Sequence, residues 1–163
     1  MAVEFRAPTL ADVEQVRLWR NEVPESLRTP YLLTEQQQEA FYRDVVGDPS
    51  KSRWWAVYDG VLVGFTGLTG IQWENGVAEI SLILSPDARG RGYGEEILGR
   101  LLGEGFGNLG LQTIHGECYH CNPAIGFWER MVEKFDGYRT LLPRRKRWGG
   151  QLHDAMYFAF WQD

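Results

Sequence analysis

Arg89-Gly90-Arg91-Gly92-Tyr93-Gly94 follows the apolar run Ile80 to Leu84 and leads into a segment that can be helical. A strand, a glycine-rich turn and a helix start together make an anion cradle. Glycines at 90, 92 and 94 leave no Cβ in the way, so successive backbone N–H groups can converge on a phosphate while the helix N-terminus adds partial positive charge. The stretch points to a ligand that carries a pyrophosphate.

Spacing separates this loop from two better-known phosphate binders. No Gly-Lys-Ser/Thr follows, so it is not a nucleoside-triphosphate P-loop. A dinucleotide fingerprint needs its third glycine three residues after the second, whereas Gly92 is followed by Gly94 and position 95 is Glu. What remains is Arg89-x-x-Gly92-x-Gly94, which resembles the acetyl-CoA pyrophosphate loop of the GCN5-related N-acetyltransferase (GNAT) family. The flanks agree. Ile83-Leu84-Ser85-Pro86-Asp87-Ala88-Arg89 is similar to the family's strand-Pro-x-x-Arg lead-in, and Pro123-Ala124-Ile125-Gly126-Phe127-Trp128 resembles its second cofactor motif. Leu18-Trp19-Arg20-Asn21 and Asp154 before Met156-Tyr157 look like the branch that holds ribosomal-protein N-terminal and spermidine-type acetyltransferases.

Outward from the loop, composition sets bounds. At 163 residues the chain fits one domain, residues 1–163, with a single core. Hydrophobic content of 44% with 24% charged residues is that of an ordinary globular protein. Met1 to Arg6 lack the layout of a secretory leader, and no apolar stretch approaches the roughly 20 residues needed to cross a bilayer, so the cytoplasm is expected and no membrane partner is. Cys118 and Cys121 are too few for a disulfide scaffold. A net charge of -5 argues against nucleic-acid binding and suits a cationic substrate slightly better. The basic run Arg144 to Arg147 reads mostly as a solvated strand face, with the cofactor's ribose phosphate or an acidic substrate as the other reading.

Patterning places the elements. Val3 to Arg6 reads as a strand. Thr9 with Asp12, and Thr34 with Gln37, have the spacing of capping boxes that open two helices. Arg53 to Tyr58, Val61 to Thr69 and Val77 to Leu84 form an antiparallel meander, joined by two-residue turns at Asp59-Gly60 and Asn75-Gly76. A helix from about Gly92 to Gly107 carries Gly99, Gly103 and Gly105, each costing about 1 kcal/mol against Ala, so packing must hold it. Thr113 to Tyr119 is a strand, Pro123 to about Lys134 a helix, and Tyr138 to Arg147 with Gln151 to Phe160 a closing hairpin. The fold class is α/β. The resemblance implies a mixed sheet of about seven strands with a V-shaped splay, flanked by about four helices.

Acetyl transfer to an amine needs a neutral nucleophile and a place for the oxyanion. The resemblance and the strand's position assign the backbone N–H groups of Leu82, Ile83 and Leu84 to the acetyl carbonyl. Arg89, Gly90, Arg91, Gly92, Tyr93 and Gly94 bind the diphosphate, and Asn122, Phe127 and Trp128 complete the cofactor set. A primary amine is almost wholly protonated at neutral pH, so Glu79, in a strand between Ala78 and Ile80, is the candidate base. Its other reading is a structural Glu paired with an Arg. Relatives often use a Tyr where this chain has Trp128, and indole cannot protonate a thiolate, so either Tyr119 or water serves as the acid; the other reading of Tyr119 is a core or groove aromatic. Many relatives carry an Asn at the position of Cys121. Asn122, one place later, either reaches the cofactor or caps a helix.

His115, Cys118, His120 and Cys121 do not make a zinc site, because neighbouring strand side chains face opposite ways and the two separated ligand pairs are missing. No metal is expected. The reading is an acetyl-CoA-dependent N-acetyltransferase acting on a small-molecule amine or a peptide N-terminus by direct attack in a ternary complex. Related proteins often pair, which leaves a homodimer open, and Trp19, Trp54, Trp55 and Trp73 are guessed to shape the acceptor side. The alternative is a non-catalytic acyl-CoA sensor.

Overall fold

Both capping boxes form in the computed structural model, which describes residues 2–163. The Thr9 hydroxyl accepts from the Asp12 amide and the Asp12 carboxylate from the Thr9 amide, opening helix α1, Leu10–Asn21. Thr34 and Gln37 do the same for α2, Glu35–Phe41, which runs on as a π turn over Tyr42–Val46. Buried Asp12 is fully engaged, since the Tyr58 hydroxyl donates to its other oxygen.

The strands are β1 Glu4–Arg6, β2 Arg53–Asp59, β3 Val61–Gln72, β4 Val77–Leu84, β5 Thr113–Tyr119, β6 Tyr138–Trp148 and β7 Gln151–Trp161. They form one mixed sheet in the order β1-β2-β3-β4-β5-β7-β6, in which only β4 and β5 run parallel. The meander is as patterned, with two differences at its turns. Asp59 pairs directly with Val61 around Gly60, whose φ is 74°, and the β3–β4 connection spans Trp73 to Gly76 rather than two residues. The closing hairpin turns on Gly149 and Gly150, with φ of 60° and 77°.

Helix α3, Tyr93–Gly103, stops short of the expected end and widens into a π turn over Glu104–Asn108. A Cβ on Gly105 would lie 2.5 Å from the Ile114 side chain, so the widened turn can rest directly on β5. Helix α4, Ile125–Lys134, starts two residues after Pro123.

Helices α3 and α4 cover one sheet face, where Leu68, Ile80, Leu98, Leu101, Ile114, Trp128, Phe158 and Phe160 make the main core. Helix α1 covers β2 to β4 on the other face through Val13, Val16 and Trp19, packed with Trp54 and Phe65. Trp19 and Trp54 are thus buried core residues, not acceptor walls; the Trp54 ring fills the space above Gly67, where a Cβ would come within 2.4 Å of it. Trp55 packs on Phe5, and Trp73 donates to the Ser50 carbonyl at 2.7 Å.

Candidate active site

Strands β4 and β5 pair only through Val77↔Thr113, Ala78↔Ile114 and Glu79↔His115. Beyond that point β4 stays paired with β3 up to Leu84↔Gly64, and β5 stays with β7 up to Tyr119↔Ala155, so the two parallel strands part and leave a V-shaped slot. Gly116 is the first β5 residue past the last pair. Its missing side chain is occupied by neighbours: a Cβ there would lie 2.6 Å from Phe158 Cζ and 2.8 Å from Ile80 Cγ2.

Which amides face the slot follows from strand alternation. The Ser85 amide donates to the Val63 carbonyl at 2.9 Å, so Ser85, Ile83 and Ser81 turn their N–H groups to β3, and Leu82 and Leu84 turn theirs to the slot. Of the three amides assigned to the acetyl carbonyl, Ile83 is therefore spent on the sheet.

The glycine loop sits at the open end of β4, after a short 3₁₀ turn, Pro86–Ala88. Gly90 and Gly92 adopt left-handed φ values of 75° and 88°. Gly92 is the N-cap of α3 and has no side chain to bond the first-turn amides, which leaves them for an anion. The acidic residues of that turn are drawn aside: Glu95 pairs with Lys134 at 2.9 Å, and Glu96 accepts from the Val3 amide at 3.2 Å. Arg89 and Arg91 are exposed and in no ion pair among the described residues.

Two loop residues serve packing more than ligand approach. The buried Tyr93 hydroxyl donates to Asp59 at 2.6 Å, anchoring the loop to the β2–β3 turn. A Cβ on Gly94 would come within 2.6 Å of Phe127 Cε1, so Gly94 lets α4 close on α3 beside the slot. Trp128, placed in the cofactor set from the sequence, is a core residue stacked on Phe158 at 4.4 Å between centroids. Asn122 accepts from the Ala124 amide at 2.9 Å, an Asx turn ahead of α4, whose N-cap is Ala124 and carries no side-chain cap bond.

On the α1 side of the sheet, β4 and β5 present Glu79, Ser81, His115, Glu117 and Tyr119, with Tyr157 from β7. The segment from Glu22 to Leu33 roofs this face. Asn21 clamps its far end, bonding the Leu33 amide at 2.8 Å and carbonyl at 2.9 Å. Lys146 donates to the Leu27 carbonyl at 2.6 Å while lying over the Tyr119 ring, and Cys121 Sγ contacts the Glu25 carbonyl at 3.6 Å. Lys146 is therefore a tether, and Arg144, Arg145 and Arg147 are exposed as expected.

From the roof Arg28 reaches down and donates to Glu79. Glu79 thus has an arginine partner, as its structural reading required, yet it remains at the apex of the slot with its side chain 30% exposed. Burial holds the Tyr119 phenol above its usual range, against the opposing charge of Arg28, so it stays protonated and able to donate. Nδ1 of His115 is buried without a hydrogen-bond partner among the described residues. Burial also pushes the Cys118 thiol up to about 12, and no group of three or more His, Cys, Asp or Glu among the described residues could hold a metal ion. A separate groove is lined by His120, Ile125, Glu129, Arg139 and Leu141. It has neither the glycine loop nor the free strand edge. Sequence reasoning missed Arg28 and placed Lys146 only within a basic run, because nothing periodic marks a residue that acts across the fold.

A turn of left-handed glycines and an uncapped helix start at the end of a slot between parallel strands, with amides turned into that slot, has the shape an acyl-CoA-dependent transferase needs. An acetyltransferase (GNAT) domain model matches residues 2–126, and the chain belongs to the GNAT family. It is an acyltransferase with acetyl-CoA as co-substrate. Spermidine N-acetyltransferase from Vibrio cholerae, crystallised with CoA and spermine, superposes with a TM-score of 0.85 at 20% identity, covering 98% of this chain and 95% of that one. The dodecameric form of the spermidine enzyme from that organism gives a TM-score of 0.82 at 21% identity, covering 98% and 94%. At these identities the likeness is one of fold. No helix among the described residues is long and apolar enough to cross a membrane.

Proposed function

We propose that the chain acetylates a primary amine by direct attack within a ternary complex, with the cofactor's diphosphate on residues 89–94 and its pantetheine arm in the slot. The observation that carries this reading is the end of β4–β5 pairing at Glu79 and His115, directly upstream of the glycine loop. The acceptor ammonium enters from the roofed face, displaces Arg28 and gives its proton to Glu79. The neutral nitrogen attacks the thioester carbon, and the Leu82 or Leu84 amide bonds the oxygen as it gains charge. The C–S bond then breaks, the thiolate takes a proton from Tyr119, and the second proton that the nitrogen sheds on becoming an amide restores the Tyr119 phenol through solvent water. Spermine, bound by a fold neighbour that is named for acetylating spermidine, supports an amine acceptor without naming it.

Calorimetry with acetyl-CoA and thiol release on an amine panel test this together. Binding with turnover is expected; absence of acetyl-CoA binding would overturn the reading. One observation, the Arg28 bond to Glu79, favours the alternative of a non-catalytic sensor, for which binding occurs and no amine is turned over.

A further inference from the structure

Arg20 stands in the last turn of α1 and is half-buried beneath the roof. Its one hydrogen bond runs from Nη2 to Ser81 Oγ at 3.3 Å, and no carboxylate among the described residues comes within ion-pair distance of it. Ser81 is the first β4 residue on this face beyond the last β4–β5 pair, so the guanidinium sits at the slot's acceptor side. Arg28 stands close enough to repel it, and that second charge is already met by Glu79. Burial first, and Arg28 second, push Arg20 down to about 10, still charged at neutral pH. The C-terminal end of α1 offsets part of that charge, but a guanidinium has five donors in a planar fork matched to a carboxylate, and here one of them is used.

We propose that Arg20 recognises a carboxylate on the acceptor, so that the substrate is an amine carrying a carboxylate a few atoms away rather than a polyamine. The inference rests on the amine-acceptor reading above. Glu79 and Ser81 are two residues apart on one face, about 7 Å along the strand. A small zwitterion placed between them sets its ammonium at Glu79 and its carboxylate at Arg20. A polyamine brings only positive groups to a wall that already holds Arg20 and Arg28.

The test compares matched pairs on the full chain with acetyl-CoA: lysine against cadaverine, arginine against agmatine, tyrosine against tyramine, and a peptide with an acidic first residue against its amide analogue, with spermidine alongside. The carboxylated member is expected to show a kcat/KM at least about tenfold higher, and Arg20→Met is expected to bring the ratio near one, chiefly through KM. Equal or greater activity on the decarboxylated members or on spermidine overturns the proposal, as does a preference that survives Arg20→Met. The wild-type ratio decides the matter if that variant does not fold. If no amine is turned over, the acetyltransferase reading fails separately, and calorimetry of the same compounds on the CoA-loaded chain reads the subsite directly. Binding of the carboxylated members that drops tenfold or more in Arg20→Met supports it, and no binding overturns it.

Discussion

Glu79 of β4 and His115 of β5 are the last residues those strands pair, and Gly116 stands one step beyond, covered by Ile80 and Phe158. The apex of the slot is thus covered on the α3–α4 face by side chains that pack over Gly116.

Gly116→Ala is expected to destabilise the protein by about 1–3 kcal/mol, because its Cβ would meet two core side chains at 2.6 Å and 2.8 Å. Urea unfolding measures it. An unchanged midpoint would show that the apex yields more easily than this packing implies.

The loop glycines are expected to separate by mechanism. A Cβ on Gly90 meets nothing within 4 Å, so Gly90→Ala should cost only left-handed strain, about 1–2 kcal/mol. Gly94→Ala places its Cβ 2.6 Å from the Phe127 ring and should also move α4 away from α3. Parallel melting curves should show the larger loss of stability at Gly94; the reverse order would contradict its packing role.

Glu79→Gln should lower kcat/KM for amine acetylation by about 10²–10⁴ while leaving the CoA dissociation constant within error. Tyr119→Phe should lower kcat with less effect on KM. Thiol-release kinetics beside calorimetry check both, and full activity of Glu79→Gln would return that residue to a structural partner of Arg28.

Cys118 gives the alkaline limb a defined sign. Its thiol moves from an ordinary 9.0 to about 12 on folding, through burial first and the nearby Cys121 and Glu129 second. Between those values the unfolded chain has released a proton that the native chain keeps, so stability falls as pH rises through the window and is unaffected below it. Wild type and Cys118→Ala, compared by urea unfolding near about pH 8 and again near about pH 10.5, should converge in stability at the higher value. A constant difference would remove the thiol as the cause.

Much of this arrangement was legible along the chain. Thr9 with Asp12 and Thr34 with Gln37 are caps made within one turn, and the strand runs and glycine loop are equally local. The boundaries that moved did so for tertiary reasons: α3 ends early because Gly105 lets its last turn widen against Ile114. Trp128 has the spacing of a cofactor residue, but its ring stacks on Phe158, from a strand far along the chain.

Local spacing by itself determined the α/β class, the order of elements and the glycine-rich turn, because capping, period and left-handed glycines depend on neighbours a few residues apart. Only the tertiary structure decided where β4 and β5 separate, that Ile83 spends its amide on β3, that Arg28 reaches Glu79 across 51 positions of chain, and that Arg20 has no carboxylate partner among the described residues. Those outcomes depend on which distant side chains fill the space between strands, and no short window of residues contains both partners.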